Sequence, residues 1–274
     1  MQLSPNNPKI SIYLYAAYRQ MGKAKSGIHL LSLFDAEEPV QNQALSLGGD
    51  YYSQQVRQAS IEERAELLES WKKLLDGFAG LKEKMEWNLQ MSMYAESIGD
   101  LQAAIRQMEQ AKSNVDFGDT HGYYLASLYE ANKQFTQADD LLKAVLASNP
   151  KFAHGWNFLG YSQLEREDGN LELAKTYIMK AVELDPQSPH FRDSLGWYYY
   201  KKGSYSEALK EIQFAYTLNS QDSLIGRHLV HVFMALELKD QAREMLNRLS
   251  QYFPAEDWRE FQHNLVLDRS PASE

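Results

Sequence analysis

His228 and His231 stand three residues apart, and on a helix that spacing turns two imidazoles toward one face. Two nitrogens on one face are the start of a metal site, with His190 or His154 as further ligands, but the set is incomplete and the spacing is common among surface and groove histidines. Paired carboxylates are the next source of chemistry. Glu62 with Glu63, Asp139 with Asp140, and Glu165 with Glu167 could supply a general acid only if burial raised a pKa, and their charged settings read as solvated helix and turn surface. The stretch "MGKAKSG" has a Gly-Lys pair but lacks the earlier glycine and the hydroxyl residue of a phosphate loop. "REDGN" is too short for a calcium loop. The chain has no G-x-S-x-G, H-E-x-x-H or dinucleotide glycine pattern, and no cysteine. The expectation is a protein that is not an enzyme and uses neither metal nor cofactor.

What would position these side chains is an internal repeat. Ala104, Ala138, Ala174, Ala208 and Ala242 are spaced by 34, 36, 34 and 34 residues, and Leu125, Leu159, Leu195 and Leu229 keep step with them. The two extra residues fall in "EREDGN", Glu165 to Asn170, which suits a lengthened turn. Pro150, Pro186 and Pro254 close three copies, because proline ends a helix and disfavours helix in its predecessor. Each copy reads as two amphipathic helices, with Leu195, Gly196 and Tyr199 on the first, a break at "KKGS", and Ala208, Ile212 and Ala215 on the second. Gly160 and Gly196 mark places where paired helices approach closely, the compensation for glycine inside a helix.

Bulk properties narrow the partners. A net charge of -9 over 274 residues argues against nucleic acid and anionic membranes, which need clustered Lys and Arg. No apolar run approaches the roughly 18 residues of a membrane span. "MQLSPNNPK" has neither a basic region nor the apolar stretch of a signal peptide.

Trp156, Leu159, Gly160, Ala174, Ala181 and Pro186, and again Leu195, Gly196, Tyr199, Ala208 and Ala215, carry a resemblance to the tetratricopeptide repeat family. The stretch from Phe158 to Lys210 looks especially like the C-terminal repeats of bacterial envelope proteins of that family. The resemblance implies an all-α, right-handed superhelix of antiparallel helix pairs. Five units are expected at 85–118, 119–152, 153–188, 189–222 and 223–256, with an N-terminal pair at 1–34 and a degenerate, lengthened pair at 35–84. In that degenerate pair "SIEE" at Ser60 to Glu63 is a capping box. Trp258, Phe261 and Leu265 mark a capping helix in 257–274. Leu3 to Pro5 reads as the tail of a preceding repeat, so the chain is expected to begin inside an array; the alternative is that Pro5 caps the first helix. An uncovered first pair would associate end to end through residues 1–34, or fray there.

The same resemblance puts the first helix of each pair on the concave surface. At i, i+4 and i+7 these helices carry Tyr123 and Ser127; Asn157, Tyr161 and Leu164; Asp193, Trp197 and Tyr200; and Arg227, His231 and Met234. That face is distinct from the leucine face, and it serves either packing between repeats or a partner. Read as a groove, it suits a protein or peptide ligand with apolar anchors and a basic residue facing Asp193. Related domains that clamp a chaperone's C-terminal carboxylate use Lys, Asn and Arg at equivalent places, which this chain lacks. A structural spacer without a groove ligand is the competing reading.

Overall fold

A computed structural model of the protein describes residues 7–82 and 84–250, and every regular element among them is helical. The chain divides into two compact units, Met1–Leu141 and Leu142–Glu274.

The first unit holds α1 (Pro8–Gln20), the single turn α2 (Ala24–Gly27) with a 3-10 turn at Ile28–Leu31, α3 (Glu38–Gln58) and α4 (Ile61–Gly77). It continues with α5 (Met85–Ser97), α6 (Leu101–Ala111) and α7 (Asp119–Ala131), and the unit boundary falls within α8 (Phe135–Ser148). The second unit continues through α9 (Ala153–Glu165), α10 (Leu171–Leu184), α11 (Pro189–Lys201), α12 (Tyr205–Leu218), α13 (Ser223–Ala235) and α14 (Lys239–Ser250). The capping helix expected in 257–274 and the Leu3–Pro5 tail lie outside the described residues.

Local chemistry starts these helices. Asn7 accepts a hydrogen bond from the amide of Lys9 ahead of Pro8, and Asp100, Asn170 and Asp222 cap α6, α10 and α13 in the same way. Ser60 and Glu63 form the reciprocal capping box of α4. The turns after α1, α5, α7, α11 and α13 each contain one left-handed residue: Gly22, Gly99, Lys133, Gly203 and Glu237, with φ from 58° to 83°. The turn after α9 has none, and it is the one lengthened by "EREDGN"; Arg166 continues there in an extended conformation.

Packing within each pair explains the repeating alanines. Ala104, Ala138, Ala174, Ala208 and Ala242 are all fully buried. A Cβ on Gly160 would fall 2.5 Å from Ile178 Cγ1, and one on Gly196 2.3 Å from Ile212 Cγ1, so these glycines let the two helices of a pair touch. In the second unit the first helices α9, α11 and α13 lie side by side, with α10, α12 and α14 paired against them. The stretch 35–84 departs from this pattern: α3 and α4 run for 21 and 17 residues, against 13 or 14 in α9 to α13.

Candidate functional site

The polar and aromatic side chains of the second unit converge where α9, α11 and α13 run together. Asp193 on α11 accepts a hydrogen bond from His228 Nδ1 on α13, with Oδ2 at 2.8 Å and Oδ1 at 3.0 Å. A carboxylate on Nδ1 fixes that nitrogen as the protonated one and sets the ring plane. Trp197, one turn beyond Asp193, lays its indole flat against that imidazole, with centroids 4.0 Å apart and planes at 13°. It also stacks on Tyr200 at 4.5 Å and 3°. The indole Nε1 donates to Glu165 Oε1 of α9 at 2.7 Å, and Lys201 Nζ lies 3.5 Å from the same oxygen. One continuous ladder thus ties three successive first helices together.

Burial shapes its electrostatics. Tyr161 sits with its ring 6.3 Å from His228. Burial pushes its phenol far up, helped by the negative charges of Glu165 and Asp193, so it stays a neutral hydroxyl. His231, 5.4 Å from Trp197 and 5.8 Å from Tyr200, is held down to about 4, first by burial and then by His228, Arg227 and Lys201. It is a neutral imidazole at physiological pH.

An oriented His–Asp pair is also the base half of a hydrolytic site. Here both side chains are sealed, 3% and 4% exposed, beneath the indole, where substrate cannot reach the ring. Among the described residues no group of three or more His, Cys, Asp or Glu side chains is placed to hold a metal ion. No helix among them is long and apolar enough to cross a membrane.

The residues expected to line a groove divide. Asp193 and Trp197 are buried in the ladder, and Leu164 is buried in the core with Ala174, Ile178 and Phe191. A basic partner residue cannot face Asp193, because His228 already occupies it. Asn157, Tyr161, Tyr200, Arg227 and His231 remain half-exposed on α9, α11 and α13. Tyr123, also half-exposed, belongs to α7 in the first unit. Its neighbour Tyr124 makes a link of the same kind there, its hydroxyl donating to Glu96 Oε2 at 2.8 Å. Glu165, Lys201 and His228 complete the site, although the sequence shows them as ordinary surface charge and an incomplete metal pair. Their signal lay in separation: Glu165 to Trp197 and Asp193 to His228 span 32 and 35 residues, close to one repeat.

The tetratricopeptide repeat family model matches residues 123–189, and the chain carries tetratricopeptide repeats. It is 27% identical over 176 residues to the TPR repeat-containing protein PA4667 of Pseudomonas aeruginosa, a match covering 61% of this chain and 29% of that protein. It is 28% identical over 117 residues to the general transcriptional corepressor trfA of Dictyostelium discoideum, covering 42% and 8% respectively. The chain therefore matches less than a third of the length of either relative. Among solved structures, a tetratricopeptide repeat protein from Parabacteroides merdae superposes with a TM-score of 0.73 at 14% identity, over 94% of this chain and 98% of that one. The thermophilic TPR protein TTC0263 of Thermus thermophilus gives 0.57 at 20% identity, over 66% and 97%. These likenesses show the fold, an all-α array of tetratricopeptide helix pairs.

Proposed function

We propose that the chain is a protein-interaction scaffold whose second unit takes a partner peptide or helix along α9, α11 and α13. The observation that supports this reading is the division of the aromatic ladder. Trp197 and the Asp193–His228 pair lock the three helices from within, while Tyr161, Tyr200 and His231 keep part of their rings exposed along the same strip. Rigid aromatics supply contact area at low entropic cost, which suits them as anchors. Glu165 and Lys201 offset each other beside the strip, so the ligand expected is one with apolar or aromatic anchors and little net charge. Asn157 adds a buried Oδ1 that has no hydrogen-bond partner among the described residues.

The test is a photo-crosslinking amino acid at position 161 or 200 in the native host, with exposed Gln213 on α12 as the control position. Partner capture at 161 and 200 but not at 213 supports the groove. Equal yield at all three, or none, leaves the spacer reading standing in its place.

A second reading concerns α1. Tyr13, Leu14 and Met21 are 72%, 47% and 59% exposed, and with Ile10 and Ala17 they form an apolar stripe along a helix without acidic residues. Association of copies through this stripe would cover it.

A further inference from the structure

The first unit contains a crevice of its own, and its origin is a mismatch of helix lengths. α2 is a single turn followed by one 3-10 turn, whereas α3 and α4 behind it are 21 and 17 residues long. The preceding element thus ends before it can cover the α3–α4 elbow around Ala59. A cavity of about 530 Å³ opens there, between Lys25 and Ile28 on one side and Tyr51, Tyr52, Glu63 and Glu66 on the other. Sites that hold small ligands or peptide side chains fall in the range of roughly 300–1,000 Å³.

The walls are pre-set. Tyr52 stacks on the fully buried Trp71 at 6.4 Å and 17°, and meets Tyr51 edge-on at 5.1 Å. Trp71 is fixed in turn by an edge contact with Tyr94 at 5.7 Å. Burial raises both phenols, so they remain neutral donors with electron-rich faces. Glu63 is oriented at the wall by its bonds to the Ser60 amide and hydroxyl at 3.2 and 3.0 Å; Glu66, one turn on, is exposed. Gln55, Gln58 and Ser70 supply further donors and acceptors to the lining.

Two carboxylates against one ammonium disfavour an anion, and the net charge of -9 acts in the same direction at longer range. A purely apolar ligand would leave the amides and carboxylates unpaired. Neutral phenols next to carboxylates match a cation, and a planar guanidinium stacks on tyrosine and forks to a carboxylate better than a compact ammonium does. We propose that this crevice binds an arginine side chain presented on an extended segment of a partner protein, the guanidinium against Tyr51 and Tyr52 and paired with Glu66 and Glu63. Gln55 and Gln58 then face the peptide backbone beside it. The site does not depend on the groove of the second unit.

The test titrates the full chain, isotopically labelled for amide NMR, with acetyl-Ala-Arg-Ala-amide at low salt. The neutral citrulline and the acidic glutamate versions of the peptide serve as controls. Saturable shifts confined to α2, α3 and α4 are expected, with the arginine peptide at least about fivefold tighter than the citrulline one. Glu66→Gln, at an exposed position that the fold does not need, should weaken the arginine peptide by about threefold or more, and Lys25→Ala should strengthen it. Equal binding of the citrulline or glutamate peptide, an unchanged affinity in Glu66→Gln, shifts confined to α9–α13, or no saturable shift at 10 mM peptide (roughly 3 kcal/mol of binding) would each overturn the proposal.

Discussion

Asp193 and His228 hold each other across α11 and α13 at 2.8 Å, with both side chains shut off from solvent. Such a pair costs desolvation to bury, so its presence is weak evidence of added stability, but removing one member strands the other. Asp193→Ala and His228→Ala should each destabilise the second unit by about 3–5 kcal/mol, and the double substitution by clearly less than their sum. Urea unfolding followed by tryptophan fluorescence measures this, since Trp197 stacks on the imidazole. Single variants within about 1 kcal/mol of the parent would show that the pair holds nothing in place.

His231 gives the unit a defined acid sensitivity. Its folded pKa of about 4 lies below the ordinary value of 6.5, because burial and neighbouring positive charge disfavour the imidazolium. The unfolded chain therefore binds a proton that the folded one refuses. This contribution is fully present above pH 6.5 and declines as pH falls from 6.5 toward 4. Below pH 4 no more is lost, and because the ring is half-exposed, solvent screening holds the total well below what the full shift would give. His231→Phe should flatten the pH dependence of the urea midpoint in that window. Parallel curves for parent and variant would assign the acid sensitivity elsewhere.

Lys133 and Glu237 occupy left-handed turns at φ 58°, where Gly99 and Gly203 stand in sister repeats. A Cβ in that conformation costs roughly 1–2 kcal/mol, offset in part by the extra freedom glycine has in the unfolded chain. Lys133→Gly and Glu237→Gly should each raise stability by several tenths to about 1 kcal/mol. A fall in melting temperature for both would mean that their side chains make contacts worth more than the strain.

The fold was legible because its packing demands the same small residue in each repeat. The five alanines that mark the period are all at 0% exposure, and Leu125, Leu159, Leu195 and Leu229 are buried beside them. Gly160 and Gly196 were legible as close contacts for the same reason. The site was harder to read. A helical wheel finds the face carrying Asp193 and Trp197, but cannot tell how far the next first helix extends over it. His228 and Glu165 come from neighbouring repeats and close that face. Leu164 was misplaced in the same way, since it is buried in a core cluster that also holds Phe191 of the following pair. The crevice on α3 and α4 lay where the period fails, so no sister repeat could point to it.

The α1 stripe yields a solution measurement. Tyr13→Lys combined with Leu14→Glu places opposite charges on the most exposed part of the helix without touching buried Ile12 or Tyr15. If copies associate through α1, sedimentation of the parent should show a concentration-dependent rise in mass that the variant lacks. A parent that remains a monomer at several hundred micromolar (near 5 kcal/mol of association) would remove that interface.

Recognition and stability should separate on α11 itself. Trp197 is 7% exposed and fills the space between His228, Tyr200 and Glu165, so Trp197→Ala opens a cavity and strands an imidazole. A loss of about 3–5 kcal/mol is expected, and any binding defect in that variant follows from unfolding. Tyr161 and Tyr200 are only half-buried, so truncating them removes less packing. The pair Tyr161→Ala with Tyr200→Ala should cost about 1–3 kcal/mol in stability and leave the circular dichroism helical. It should weaken the partner captured by crosslinking by roughly thirtyfold, the effect of losing about 2 kcal/mol of anchor contacts. Calorimetric titration of that partner against both variants, at a temperature where each is folded, decides the matter. Full affinity in the double tyrosine variant would move the binding face off α9 and α11.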